Sequence, residues 1–156
     1  MHDLLIHDID FCLWTFGVPQ AVSATGYGSL AEGVDTITAN LHYEHIPSVV
    51  IAGGWHTGRD YPFSMGYTVV SEAGTYEFDS QRSSEVMFHP VSGKTHVESP
   101  ESVDGYALEL SYFADCCLNE QQPDFCPPED SARAVQLAVL LLEARSRKGE
   151  KIPCQI

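Results

Sequence analysis

The sequence predicts an α+β domain built on a large, mostly antiparallel, open-faced β-sheet with helices gathered on one face. Three observations carry that reading. The periodicity runs from helix, through strand-length segments joined by short turns, to two further helices. Strands joined by hairpin-length turns run antiparallel, because a parallel partner needs a long crossover. The 156 residues, 44% hydrophobic and 19% charged, are enough for one domain with a sizeable core, so residues 1–156 are read as a single unit.

The first element, Met1 to Phe16, reads as a helix that is apolar almost all the way round. Leu4, Leu5, Ile6, Ile9, Phe11, Cys12, Leu13, Trp14 and Phe16 cover most directions, which predicts burial on several sides. Asp3, His7 and Asp10 fall on one stripe of it, at steps of four and three residues. Such groups are costly to bury unless paired. The stripe is therefore a satisfied core network, a metal site or the wall of an active site. Gly17 and Pro19 end the helix.

Gln20 to Tyr27 reads as a first strand, and 28–35 as a loop of small residues. Thr36 to Glu44 alternates cleanly, with Ile37, Ala39, Leu41 and Tyr43 on a covered face and Thr36, Thr38, Asn40 and His42 on a polar one. Ser48 to His56 is a strand disturbed at Gly53-Gly54. Phe63 to Ser71 and Tyr76 to Asp79 form a hairpin about Glu72-Ala-Gly-Thr75. Short strands follow at Glu85 to His89 and Lys94 to Glu98. The period then becomes helical. Asp104 caps Gly105 to Asn119, with Ala107, Leu108, Leu110, Tyr112, Phe113, Cys116 and Cys117 as its apolar positions. Pro127-Pro128-Glu129-Asp130 opens a last helix, with Ala132, Val135, Ala138, Val139, Leu141 and Leu142 expected in the core and Gly149 as its stop.

Composition excludes several functions. Eight basic residues against 22 acidic give a net charge of −14, which argues against nucleic acid or an anionic membrane as partner. No apolar run is long enough to span a membrane, and Asp3, Asp8 and Asp10 do not suit a signal peptide. Cys12, Cys116, Cys117, Cys126 and Cys154 are odd in number and form no C-x-x-C pair, so reduced thiols in a cytoplasmic protein are expected.

No phosphate-binding loop is present, since Gly26-Tyr-Gly28 and Gly53-Gly54 are not followed by helices. A nucleophilic cysteine is disfavoured because Cys116-Cys117 falls on a core-facing helix. A metal site has the right atoms in His2, Asp3, His7, Asp10, His42, His45 and His56, but no diagnostic spacing.

Several segments together carry a resemblance. Asp3-Leu-Leu-Ile-His7-Asp8-Ile9-Asp10 resembles the D-x-x-x-H-(D/N)-x-D helix that opens the C-terminal domain of the Gfo/Idh/MocA oxidoreductases. Trp14-Thr-Phe-Gly17 with Pro19-Gln-Ala-Val22 resembles that family's step into the sheet. Glu72 to Asp79 is similar to its G-T hairpin. Glu109-Leu-Ser-Tyr-Phe113-Ala-Asp-Cys116 and Pro127 to Pro153 are similar to its two closing segments.

The resemblance implies the C-terminal fold of glyceraldehyde-3-phosphate-dehydrogenase-like two-domain oxidoreductases. It implies a preceding Rossmann domain that binds NAD or NADP. That half, the Gly-Gly before the Asp helix and the lysine of the E-K-P motif are not in this sequence. The chain is therefore expected to be an excised C-terminal domain or a truncated product, inactive alone and holding no cofactor itself.

Matched position by position, Asp3 and His7 take the places of the family's catalytic Asp and His. Imidazole is a suitable base near neutral pH for the proton of a secondary alcohol, and a carboxylate one turn away can orient it. Asp10 either holds the helix or binds substrate. Trp55, His56 and Arg59 are the expected substrate contacts, with Tyr61 nearby, although Trp55 and Tyr61 also suit a sheet edge or a subunit contact.

Phe63, Met65, Tyr67 and Val69 alternate with Ser64, Gly66, Thr68 and Val70, leaving a sticky face. In the resembled family that sheet face builds oligomers, so a homodimer at least is expected. The implied function is the substrate-binding and dimerisation half of an NAD(P)-dependent dehydrogenase of sugars or polyols such as inositol. The alternatives are a non-catalytic stand-alone binding or scaffold module, and a metal-dependent hydrolase or isomerase using Asp3, His7 and strand histidines.

Overall fold

The first helix-period segment forms α1 (Leu5–Phe16), in a computed structural model that describes residues 5–28, 36–55, 58–98 and 104–156. Its burial is one-sided, where burial on several sides was expected. Leu5, Ile9 and Cys12 are buried, and Ile6, Leu13 and Phe16 pack partly against the same core. At 100° per residue these six span one side of the wheel. His7, Asp10, Phe11 and Trp14 occupy the other side, and all are exposed. Gly17 ends the helix as predicted. Its φ of 74° is left-handed, and its N–H returns to the Leu13 carbonyl at 2.9 Å.

The strands that follow are β1 (Ala21–Tyr27), β2 (Thr36–His42) and β3 (Val49–Gly54). With the two-residue β8 (Ile152–Pro153) they form a four-stranded antiparallel sheet in the order β3-β2-β1-β8. The register sets Val22 opposite Leu41, Ala24 opposite Ala39, and Ala39 opposite Ile51. These, with Ile37, make the covered face, as the alternation of β2 foretold. Ser23, Thr25, Thr38, Asn40, His42 and Val50 belong to the opposite face. β8 escaped the sequence reading because two residues carry no period.

The last helix, α3 (Pro128–Ser146), lies over β1, and α1 lies against both α3 and β3. Both helices therefore cover one face of the sheet. The core-facing stripe of α3 is Ala134, Leu137, Ala138, Leu141 and Ala144. Ala132, Val135 and Val139, expected in the core, are exposed instead. Alanines at 134, 138 and 144 let the helix approach the sheet closely, and a reading by residue size alone gives the stripe to the valines.

Contacts divide the chain into two compact units, Met1–Arg59 with Asp124–Ile156, and Asp60–Pro123. The second unit is a meander of β4 (Gly66–Val70), β5 (Gly74–Asp79), β6 (Met87–Pro90) and β7 (His96–Val97), paired antiparallel in that order. The strands thus fall into two four-stranded antiparallel sheets, within the α+β class predicted.

The second unit also contains α2 (Gly105–Leu118), capped as expected by Asp104, whose Oδ1 accepts from the Tyr106 N–H at 3.1 Å. Of its residues only Cys116 is buried. Leu108, Leu110 and Phe113 are exposed, as is Cys117, so the expected core-facing helix instead presents an apolar outer surface.

Candidate active site

The site is built on the outer face of α1. Ile9 is fully buried and anchors the helix from below, and Cys12 lies one turn further on. The far end is held by Tyr43, which follows β2 and continues the parity of Leu41. Its hydroxyl donates to the Gly17 carbonyl at 3.0 Å, and its ring meets Phe16 edge-on with centroids 6.0 Å apart. Burial, with the Cys12 and Cys154 thiols beside it, pushes the Tyr43 phenol up to about 12. It therefore stays a neutral donor. Burial, reinforced by the Asp8 carboxylate, also pushes the Cys12 thiol up to about 11, so this cysteine is inert at neutral pH.

His7 stands on the exposed side of α1. Asp10 and Phe11 follow three and four residues later, the spacing that places neighbours on one helix face. Asp8 is next to His7 but flanks the packed side. Desolvation raises its carboxyl above the ordinary value, partly offset by the positive charge that His7 can carry. Asp3, the expected partner of His7, lies outside the described residues.

Trp55 follows the last residue of β3 and is 60% exposed. It continues the parity of Ile51 and Gly53, which belong to the helix-covered face of the sheet. Since α1 packs against β3, the helix carrying His7 and the strand leading to Trp55 are neighbours. Arg59 is exposed in the turn that follows, and His56 lies outside the described residues. Among the described residues no hydrogen bond links His7, Asp10, Trp55 and Arg59. The fold thus sets His7 and Asp10 on one face and brings the strand end near their helix, without joining the two groups.

A second polar pair sits on the opposite face of the same sheet, where Ser23 Oγ and His42 Nε2 are 2.9 Å apart. Burial, and then the charge of Lys151, hold the His42 pKa below its ordinary value. Among the described residues no three His, Cys, Asp or Glu side chains gather as metal ligands do. A metal centre on this helix would have to draw on His2, Asp3 or His56, outside those residues. Gly26 lies within β1 and Gly53-Gly54 closes β3. They offer no helix N-terminus to a dinucleotide. No helix among the described residues is long and apolar enough to cross a membrane.

Residue composition hid one feature of this face. Phe11 and Trp14, two apolar positions of a helix expected to be buried on several sides, lie on the outer side with His7. Spacings of four and seven residues set both rings on the side of His7, and packing against β3 and α3 decides which side of the helix that is.

Residues 1–77 match the family model of the GFO/IDH/MocA C-terminal domain. Among solved structures, the chain is similar to the UDP-N-acetylglucosamine 3-dehydrogenase GnnA from Acidithiobacillus ferrooxidans, with 17% identity and a TM-score of 0.76 over 90% of this chain and 45% of that one. It is similar to the WlbA dehydrogenase from Bordetella pertussis, solved in complex with NADH and UDP-GlcNAcA, with 17% identity and a TM-score of 0.73 over 97% of this chain and 44% of the other. An oxidoreductase from Thermotoga maritima gives 17% identity and a TM-score of 0.76 over 96% and 45%. At such identities the likeness shows the fold, and the chain spans slightly less than half the length of these three structures. No curated protein sequence matches it.

Proposed function

We propose, from the match of residues 1–77 to the GFO/IDH/MocA C-terminal domain, that this chain is the substrate-binding half of a two-domain, NAD(P)-dependent oxidoreductase acting on a CH–OH group of a sugar, polyol or related compound. The observation that carries the reading is the position of His7, a lone imidazole on the open face of a helix whose other face is anchored in the core. Oxidising a secondary alcohol requires removal of the hydroxyl proton and of a hydride. His7 takes the proton, and Asp3, four residues earlier in the sequence, holds the ring in the accepting tautomer. Asp10 accepts from a neighbouring substrate hydroxyl. Trp55, His56 and Arg59, at and beyond the end of β3, line the opposite side of the substrate.

NAD or NADP supplies the hydride acceptor. This chain's described glycines form no cradle for its phosphates, and a Rossmann domain elsewhere in the protein would carry it. Support comes from the similar dehydrogenase solved with NADH, which is about twice the length of this chain. We further propose a cytoplasmic homo-oligomer formed through the uncovered sheet surface, supported by the exposed Phe63, Met65 and Tyr67.

The test compares this chain with a full-length protein that contains it. The full-length protein should bind NADH, seen as a rise in its fluorescence, and reduce NAD(P) with some member of a panel of aldoses and inositols. This chain alone should do neither. Tight NADH binding by this chain would contradict the proposal.

A further inference from the structure

The outer face of α1 holds more than His7 and Asp10. Phe11 and Trp14 continue the same stripe, so the three side chains His7, Phe11 and Trp14 run along about 10 Å of helix at ~1.5 Å per residue. Trp14 is 73% exposed and Phe11 39%. Their ring centroids are 6.3 Å apart and their planes are tilted by 40°, on the side of the helix that carries His7. Leu5, Ile9 and Cys12 fill the packed side of the helix, and Trp14 lies away from it.

An indole face binds the C–H face of a saturated ring by dispersion, and its N–H donates to a hydroxyl at the rim. The charge nearby narrows the ligand. α1 carries Asp8 and Asp10 and no lysine or arginine, within a chain of net charge −14. A carboxylate or phosphate on the ring would be repelled from this face, whereas hydroxyls can donate to Asp10.

We propose that Trp14, flanked by Phe11, is the platform on which the substrate's ring stacks. It sets the register of the ring hydroxyls against His7 and selects uncharged rings over acidic or phosphorylated ones. This inference rests on the reading of His7 as the base, and its test is separable from that reading.

The experiment is saturation-transfer NMR on this chain, with methyl β-glucopyranoside as the uncharged probe and glucuronate as its anionic counterpart. The wild type should transfer saturation to the C–H protons of the glucoside, and more weakly to glucuronate. Trp14→Ala should lower the glucoside signal by about three- to tenfold, the factor expected from losing one aromatic stacking contact. Trp14→Phe should fall between the two. Tyr106→Ala, which removes a comparably exposed ring on α2, should leave the signal unchanged. Circular dichroism confirms that each variant is folded.

No transfer in the wild type, an undiminished signal in Trp14→Ala, an equal loss in Tyr106→Ala, or a stronger signal for glucuronate would each overturn the platform. If His7→Asn instead leaves turnover of the full-length protein intact, the base assignment fails while the NMR result still decides the platform.

Discussion

Ile9 and Trp14 are both large and apolar, lie five residues apart on one helix, and meet opposite fates. Ile9 is 0% exposed, inside a cluster with Leu137, Leu141 and Ile37, whereas Trp14 stands in solvent. Truncating Ile9 to Ala should therefore cost about 2–5 kcal/mol, since it opens a cavity as well as losing burial. Trp14→Ala should stay within about 0.5 kcal/mol of wild type. Urea unfolding of the two variants checks both values, and similar losses for the two would place Trp14 in the core.

At His42 the prediction concerns pH. Its folded pKa lies below the ordinary 6.5, because burial and Lys151 both oppose the charged form. The unfolded chain then binds the proton more readily than the folded one. Its contribution to stability is complete above 6.5 and is lost as the pH falls through the folded value. The stability difference between wild type and His42→Gln should therefore shift against the wild type between about pH 7.5 and about pH 5, the range in which imidazole titrates. A pH-independent difference in urea midpoints would contradict the assignment.

At the scale of elements, α1 is anchored along its length by Leu5, Ile9 and Cys12, and its end is fixed by a separate contact. Gly17 adopts the left-handed conformation that lets the chain leave the helix, and Tyr43 donates to its carbonyl. Removing that one bond in Tyr43→Phe should cost about 0.5–1.5 kcal/mol, measured as a lowered urea midpoint. An unchanged midpoint would mean that water replaces the hydroxyl without loss.

The stop of α1 at Gly17, the parity of β2 and the cap at Asp104 were all legible in the sequence. Each depends on a local rule: a period, a left-handed glycine, or a side chain reaching a backbone N–H. Which side of α1 was outermost was not legible. Phe11 and Trp14 are the residue types that fill cores, and only packing against β3 and α3 decides that they do not. The close-packed alanine stripe of α3 was missed for a related reason. A short residue signals close approach only when the opposing sheet is known. At the candidate site, the His7–Asp10 stripe followed from helical spacing, but the neighbourhood of α1 and the end of β3 depends on tertiary packing that no local pattern records.

At the scale of the whole molecule, much of the apolar surface is unburied. Phe63 and Met65 beside β4, Val50 on β3, and Leu110 and Phe113 on α2 are all exposed. Isolated apolar residues on a surface are ordinary, but contiguous apolar patches mark interfaces. The proposed assembly predicts a species of at least twice the chain's 17.2 kDa in light scattering at high protein concentration. Met65→Asp, which sets a charge on the exposed apolar segment next to β4, should lower the mass toward that of a single chain. A sharp monomer for the wild type would contradict the assembly. The net charge of −14 opposes self-association at low ionic strength, so the measurement belongs at physiological salt or above.

The central claim is that the imidazole on the open side of α1 removes the substrate proton. It is tested most directly by the pH dependence of kcat/KM for NAD(P) reduction by the full-length protein, wild type against His7→Asn. The account predicts a loss of about 10²- to 10⁴-fold in the variant, together with disappearance of the limb that falls on the acid side as the imidazole protonates. A variant that keeps the wild-type rate and the same acid limb would contradict it.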